Sequence, residues 1–91
     1  MSALPRISVN AAVELETILL TLETTQGKEA ANSFMDAFLR FRPLIGLNPE
    51  KRSSKMIDDV LFYRFIHPGW NYIVYYEILD GTPIIDHFEK R

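Results

Sequence analysis

The sequence predicts an α+β domain: a short N-terminal strand, an antiparallel helical hairpin and a C-terminal three-stranded antiparallel meander. Three observations predict it. The stretch from Val60 to Phe88 holds three runs dense in aromatic and β-branched residues, the composition of strands. Two of those runs are separated by Asp80-Gly81, a pair that tolerates the positive φ a tight hairpin turn demands. Upstream, apolar residues recur at helical spacing on both sides of Gly27.

The elements follow in order. Arg6-Ile7-Ser8-Val9 alternates polar and apolar and suits a brief first strand. Asn10 is a good helix N-cap, because its side-chain oxygen can accept from the free amides of the first turn. Val13, Leu15, Ile18, Leu19 and Leu22 then form one apolar stripe with Glu14, Glu16 and Glu23 around it. Thr24-Thr25-Gln26-Gly27 stops this helix, and the short link folds the next one back on it. A second helix starts near Lys28 and shows a wide apolar face from Ala30 to Phe41. Arg40 and Arg42 suit its negative C-terminal end, and Pro43 is expected to stop it or bend its end. From Pro43 to Asp58 the chain reads as a loop. The three strands are then Val60–Ile66, Trp70–Leu79 and Thr82–Phe88, broken at His67-Pro68-Gly69 and at Asp80-Gly81.

With 91 residues the chain holds one domain, spanning 1–91, and no repeat or low-complexity tract divides it. A domain this small is marginal alone and often gains stability from a partner. Cysteine is absent, which excludes disulfides and thiolate zinc sites and suits a reducing cytoplasm. Met1-Ser2-Ala3-Leu4-Pro5-Arg6 lacks the basic start and apolar run of a signal peptide. No apolar run approaches the roughly 20 residues of a membrane span. The net charge of −2 is unevenly spread. From Ala11 to Asp36, Glu14, Glu16, Glu23, Glu29 and Asp36 face only Lys28, whereas from Arg40 to Lys55, Arg40, Arg42, Lys51, Arg52 and Lys55 face only Glu50. That basic middle segment is either a solvated loop or a contact for phosphate or an acidic peptide.

Alternation along the long strand gives it two apolar faces. Trp70, Tyr72, Val74, Tyr76 and Ile78 lie on one, and Asn71, Ile73, Tyr75, Glu77 and Leu79 on the other. The preceding strand divides in the same way, Val60, Phe62, Arg64 and Ile66 against Leu61, Tyr63 and Phe65. Two helices cover one face of a sheet. The other would leave apolar area in water at about 25 cal/mol per Å², and such patches mark binding surfaces. The alternatives are a partner chain on that face or a twisted sheet wrapped by its own helices and loop.

Candidate chemistry is sparse. His67 and His87 have no further ligand at metal spacing, so neither a metal nor a cofactor is expected. Ser53-Ser54 lacks the setting of a nucleophile, and Asp58-Asp59 reads as solvated turn charge. His87 has the side chain for general acid or base work, and a structural histidine is the alternative. Arg64, inside an aromatic strand, suits bidentate binding of phosphate or carboxylate, with stacking on Tyr72 or Phe65 as the alternative.

The order of elements and several strings resemble the RelE/ParE superfamily of bacterial toxins, nearer its ParE or plasmid-stabilisation branch. Ile7-Ser8-Val9-Asn10-Ala11-Ala12-Val13-Glu14-Leu15 is similar to the opening strand and first helix of that family. Gly27-Lys28-Glu29-Ala30-Ala31-Asn32-Ser33-Phe34-Met35-Asp36-Ala37-Phe38 is similar to its second helix, and Pro43-Leu44-Ile45-Gly46 to the P-x-x-G after it. Tyr63-Arg64 and Tyr72-Ile73-Val74-Tyr75-Tyr76-Glu77-Ile78 resemble its central hairpin. Ile84-Ile85-Asp86-His87-Phe88-Glu89-Lys90-Arg91 resembles its closing strand, whose tail in ParE-like members commonly runs on.

The resemblance implies a β-α-α-β-β-β fold and a cytoplasmic toxin of a type II toxin–antitoxin system, inhibiting growth until a cognate antitoxin covers its apolar surface. Tyr63, Phe65, Ile73 and Tyr75 are the antitoxin-binding residues expected. Two activities occur in the superfamily: ParE-type inhibition of DNA gyrase, without a nuclease set, and RelE-type cleavage of mRNA on the ribosome. The acidic balance leans to ParE, because RNA binding rests on phosphate contacts, and Asp86 and Glu89 stand where a nuclease wants cations. A non-enzymatic protein is therefore expected first. The nuclease alternative uses Lys51, Arg52, Lys55 and Arg64 as phosphate or partner contacts, with Arg64, His87 and Arg91 as catalytic candidates. A homologue repurposed as a binding module is a third reading, and association of two copies is left open.

Overall fold

The computed structural model describes residues 4–91, so Met1–Ala3 of the opening read above for a leader lie outside it. The fold is the expected α+β arrangement: β1 (Arg6–Ile7), α1 (Val9–Gln26), α2 (Lys28–Ile45), β2 (Ser54–Ile57), β3 (Val60–Ile66), β4 (Tyr72–Leu79) and β5 (Thr82–Lys90). A 3₁₀ turn at Pro49–Lys51 precedes β2. The five strands form one sheet in the order β1-β5-β4-β3-β2, with β1 parallel to β5 and every other pair antiparallel. No helix among the described residues is long and apolar enough to cross a membrane.

The start of α1 differs from the expectation. Ser8 is the cap, its hydroxyl accepting from Ala11 N at 3.1 Å. The first strand ends early enough to leave Ser8 extended, and serine caps as well as asparagine. Asn10 lies inside the helix, where its side-chain amide donates to the Asp86 carbonyl at 2.9 Å and ties α1 to β5. Gly27 separates the helices at φ 98°, a conformation in which any side chain is strained.

The segment expected to be loop from Pro43 to Asp58 holds structure at both ends. α2 runs through Pro43 to Ile45, and a fourth meander strand, β2, joins the outer edge. Two contacts outweigh the loss of the proline donor. Ile45 is fully buried, and Arg52 donates to the carbonyls of Leu44 at 2.6 Å and Ile45 at 3.0 Å. The Leu44 carbonyl also accepts from Leu47 N at 3.1 Å, and the Ile45 carbonyl is one that a helix end otherwise leaves without a partner. β2 turns into β3 through Asp58 and Asp59, both at positive φ (50° and 64°). Asp80 and Gly81 do the same between β4 and β5. Both are two-residue turns of the mirror-image kind whose twist matches the strands.

The core lies between the helices and one sheet face. Phe34, Phe38, Phe41 and Ile45 of α2, with Ala11 and Leu15 of α1, pack on Phe65, Val74, Tyr76, Ile85 and Phe88. Trp70, just before β4, joins Phe34 and Phe41 at ring distances of 5.0 and 5.2 Å. Ile85 and Phe88 share this face although strict alternation would set them on opposite sides. A bulge resolves the conflict: Tyr75 pairs with His87 and Tyr76 with Ile85, leaving Asp86 as the extra residue.

A candidate functional site on the open sheet face

The bulge also decides what the opposite face presents. Among the described residues the helices pack on the other, core face. Lys55 of β2 pairs with Phe62, Arg64 of β3 with Tyr75, and Tyr75 of β4 with His87. Residues directly opposite across a strand pair share a face. The four strands therefore bring Lys55, Phe62, Arg64, Tyr75 and His87 onto one face, with Arg64, Tyr75 and His87 in one row and the Lys55–Phe62 pair in the next. A cleft of about 250 Å³ opens here, lined by Lys55, Ile57, Phe62, Tyr75, His87 and Glu89.

Tyr75 is the floor of the cleft, 5% exposed, with the His87 ring stacked on it at 5.7 Å. Its hydroxyl donates to Glu89 Oε1 at 3.2 Å. Burial, and then the neighbouring Glu89 carboxylate, push the phenol above its ordinary pKa of 10.0, so it stays protonated as a donor. Arg64 lies beside it with Nε buried and without a hydrogen-bond partner among the described residues. A guanidinium donor left this way costs free energy until an acceptor reaches it. His87 is anchored from the other side. Its Nδ1 lies 2.6 Å from Glu14 Oε2, while Glu14 Oε1 accepts from Phe88 N at 2.9 Å. Glu14 thus caps the part of β5 that runs beyond β1. Further along, Glu77 hydrogen-bonds the bulge residue Asp86. That bond, with burial and the charge of Asp86, raises the Glu77 carboxyl to about 7.

The expected site residues divide. Lys55, Arg64, Ile73, Tyr75 and His87 share the open face. Tyr63 and Phe65, expected with Ile73 and Tyr75 as antitoxin contacts, face the helices instead. The register sets Tyr63 opposite Tyr76 and Phe65 opposite Val74, Tyr63 stacks on Tyr76 at 5.6 Å, and Phe65 is 7% exposed. Arg64 consequently cannot stack on Phe65 or Tyr72, which lie across the sheet; the cation over Phe65 is Arg52, at 5.1 Å. Arg52, expected to meet phosphate or a partner, also donates to Tyr76 Oη at 3.2 Å in addition to the end of α2. Its donors are committed to the fold. Lys51 is exposed on the 3₁₀ turn. Arg91 donates to the carbonyls of His67 and Trp70, bracing the β3–β4 connection away from the cleft. The sequence reading passed over Glu14, Glu77 and Phe62. Only the placement of α1 along β5 and the bulge at Asp86 bring the two acids into play, and no local string signals either.

The apolar rim of this face is exposed: Ile57 at 37%, Ile66 at 43% and Leu79 at 51%. All four residues of the edge strand β2 are exposed as well. Met56 and Leu61, on the helix side, extend past the cover of either helix at 59% and 42%. No group of three or more His, Cys, Asp or Glu side chains among the described residues could hold a metal ion. No protein-family model matches the sequence, and no curated protein matches it.

Proposed function

We propose that this chain is a toxin of the RelE/ParE kind from a type II toxin–antitoxin system, acting in the cytoplasm on DNA gyrase or another target that it does not cut. A cognate antitoxin neutralises it by seating an apolar segment on the open sheet face and the β2 edge. One observation carries the reading: a sheet whose second face has an apolar rim in water and a bare edge strand beside it. An extended peptide adds to such an edge through main-chain hydrogen bonds, and its alternate side chains fill the surface beside it. The acidic balance of the chain argues against a phosphate-rich target.

A second reading is favoured by the cleft that Lys55, Tyr75 and His87 line on that same face, with Arg64 beside Tyr75. In it the protein is a ribosome-dependent mRNA interferase: the cations hold phosphate and His87 moves a proton. The two readings separate in one experiment. The chain is expressed with and without the antitoxin encoded beside it, and gyrase supercoiling and mRNA cleavage on ribosomes are assayed apart. Inhibited supercoiling with intact mRNA supports the first reading. Cleavage that Arg64→Ala abolishes, with supercoiling untouched, supports the second. Normal growth under strong expression, with no complex formed with the antitoxin, refutes both.

A further inference from the structure

The two histidines of the chain are held in opposite ways. His67 Nδ1 accepts from Gly69 N at 3.3 Å, so the neutral ring carries its proton on Nε2. At His87 the partner of Nδ1 is a carboxylate that cannot donate when ionised, so the neutral ring carries its proton on Nδ1. The lone pair of His87 then sits on Nε2, on a side chain 45% exposed that lines the cleft. Glu14 cannot easily turn away, because its second oxygen accepts from the Phe88 amide. Tyr75 fixes the plane of the ring by stacking beneath it.

We propose that Glu14 is a positioning residue that holds His87 as a proton acceptor, with Nε2 presented to the hydroxyl of a substrate or a water in the cleft beside Lys55 and Tyr75. The proton passes from that oxygen to Nε2. The O–H bond breaks, the N–H bond forms, and the ionised Glu14 steadies the imidazolium that results. The proposal rests on the second reading for its purpose, yet its geometry is tested without any activity.

The test uses the whole chain with ¹⁵N-labelled histidine, and a long-range ¹H–¹⁵N spectrum at a pH well above the ordinary imidazole pKa of about 6.5. The expected spectrum shows His87 protonated on Nδ1 and His67 on Nε2. In Glu14→Ala the ratio of the two His87 tautomers shifts at least about tenfold toward Nε2–H, the least expected for losing a hydrogen bond to a charged acceptor. His67 stays as it was, and its unchanged signal with the amide spectrum reports an intact fold. Glu14→Gln keeps a carbonyl for one donor and falls between. The second probe is diethyl pyrocarbonate. The Nε2 lone pair attacks its carbonyl, an N–C bond forms, the anhydride C–O bond breaks and monoethyl carbonate leaves. Mass spectrometry should find His87 modified at least about threefold faster than in Glu14→Ala, with His67 equal in both. An Nε2–H tautomer at His87 in the native chain overturns the proposal, as does a tautomer ratio or a modification rate that Glu14→Ala leaves unchanged. Whether RNA is cut decides the second reading separately.

Discussion

Replacing Arg52 by alanine tests whether this cation is committed to the fold. Its guanidinium spans three acceptors, the carbonyls of Leu44 and Ile45 and the Tyr76 hydroxyl, and lies over the Phe65 ring. A hydrogen bond from a charged donor is worth about 1.5–3 kcal/mol net, and a cation over a ring about 0.5–1 kcal/mol. These do not add in full. Arg52 is half-buried, water can reach the freed carbonyls, and the Tyr76 hydroxyl keeps its bond to Pro49 O at 2.5 Å. The expected loss for Arg52→Ala is therefore about 2–3 kcal/mol, a fall in Tm of roughly 10 °C or more for a domain of this size. Arg52→Lys keeps the charge and loses the planar fork, so about half the loss should remain. Guanidinium unfolding followed by Trp70 fluorescence measures both, since Trp70 is the only tryptophan and sits in the core. Lys51→Ala, one residue away and exposed, is the control and should stay within about 0.5 kcal/mol of the native chain. An Arg52→Ala protein as stable as the Lys51→Ala protein would refute the assignment and return Arg52 to the set of surface contacts.

Three other outcomes follow from the backbone and the carboxyl pair. Gly27→Ala should cost about 1–2 kcal/mol by thermal unfolding, through the φ of 98° alone, since a Cβ there meets nothing within 4 Å. Asp59→Gly should stabilise the β2–β3 turn by about 0.5–1 kcal/mol, because Asp59 holds φ 64° with a side chain that disfavours it. A raised carboxyl pKa means that the folded protein binds more protons than the unfolded chain between about 4.5 and 7, so stability should rise as pH falls through that window. Full conversion of the shift gives about 3 kcal/mol, which solvent screening of this surface pair reduces to about 1 kcal/mol. Glu77→Gln should flatten that slope in guanidinium midpoints read from pH 5 to pH 8.

What the sequence made legible and what it hid both follow from the reach of each signal. Asp80-Gly81 announces its turn because glycine is the residue that turn prefers, whereas Asp58-Asp59 adopts the same positive-φ geometry without one. The first hairpin was therefore visible and the second was not, and β2 vanished with it. Pro43 carries a strong local reason to end a helix, and the contacts that overrule it, Ile45 in the core and Arg52 on the last carbonyls, come from tertiary packing. The two-faced apolar pattern of β3 and β4 could be read from alternation alone. Which β3 residues share a face with which β4 residues could not, because one step of register moves every side chain across the sheet. That is why Tyr63 and Phe65 were grouped with Ile73 and Tyr75 and lie opposite them. In β5 even alternation fails. The extra residue at Asp86 sends Ile85 and Phe88 to the core together and leaves Asp86 and His87 consecutive on the far side. The cleft exists because of that irregularity: without the bulge, aligning Ile85 with the core would turn His87 inward and Phe88 outward. A strand that departs from its own pattern at one residue has placed His87 on Tyr75 and against Glu14, where a regular strand continuing from Ile85 would have set Asp86 opposite Tyr75 and turned His87 toward the core.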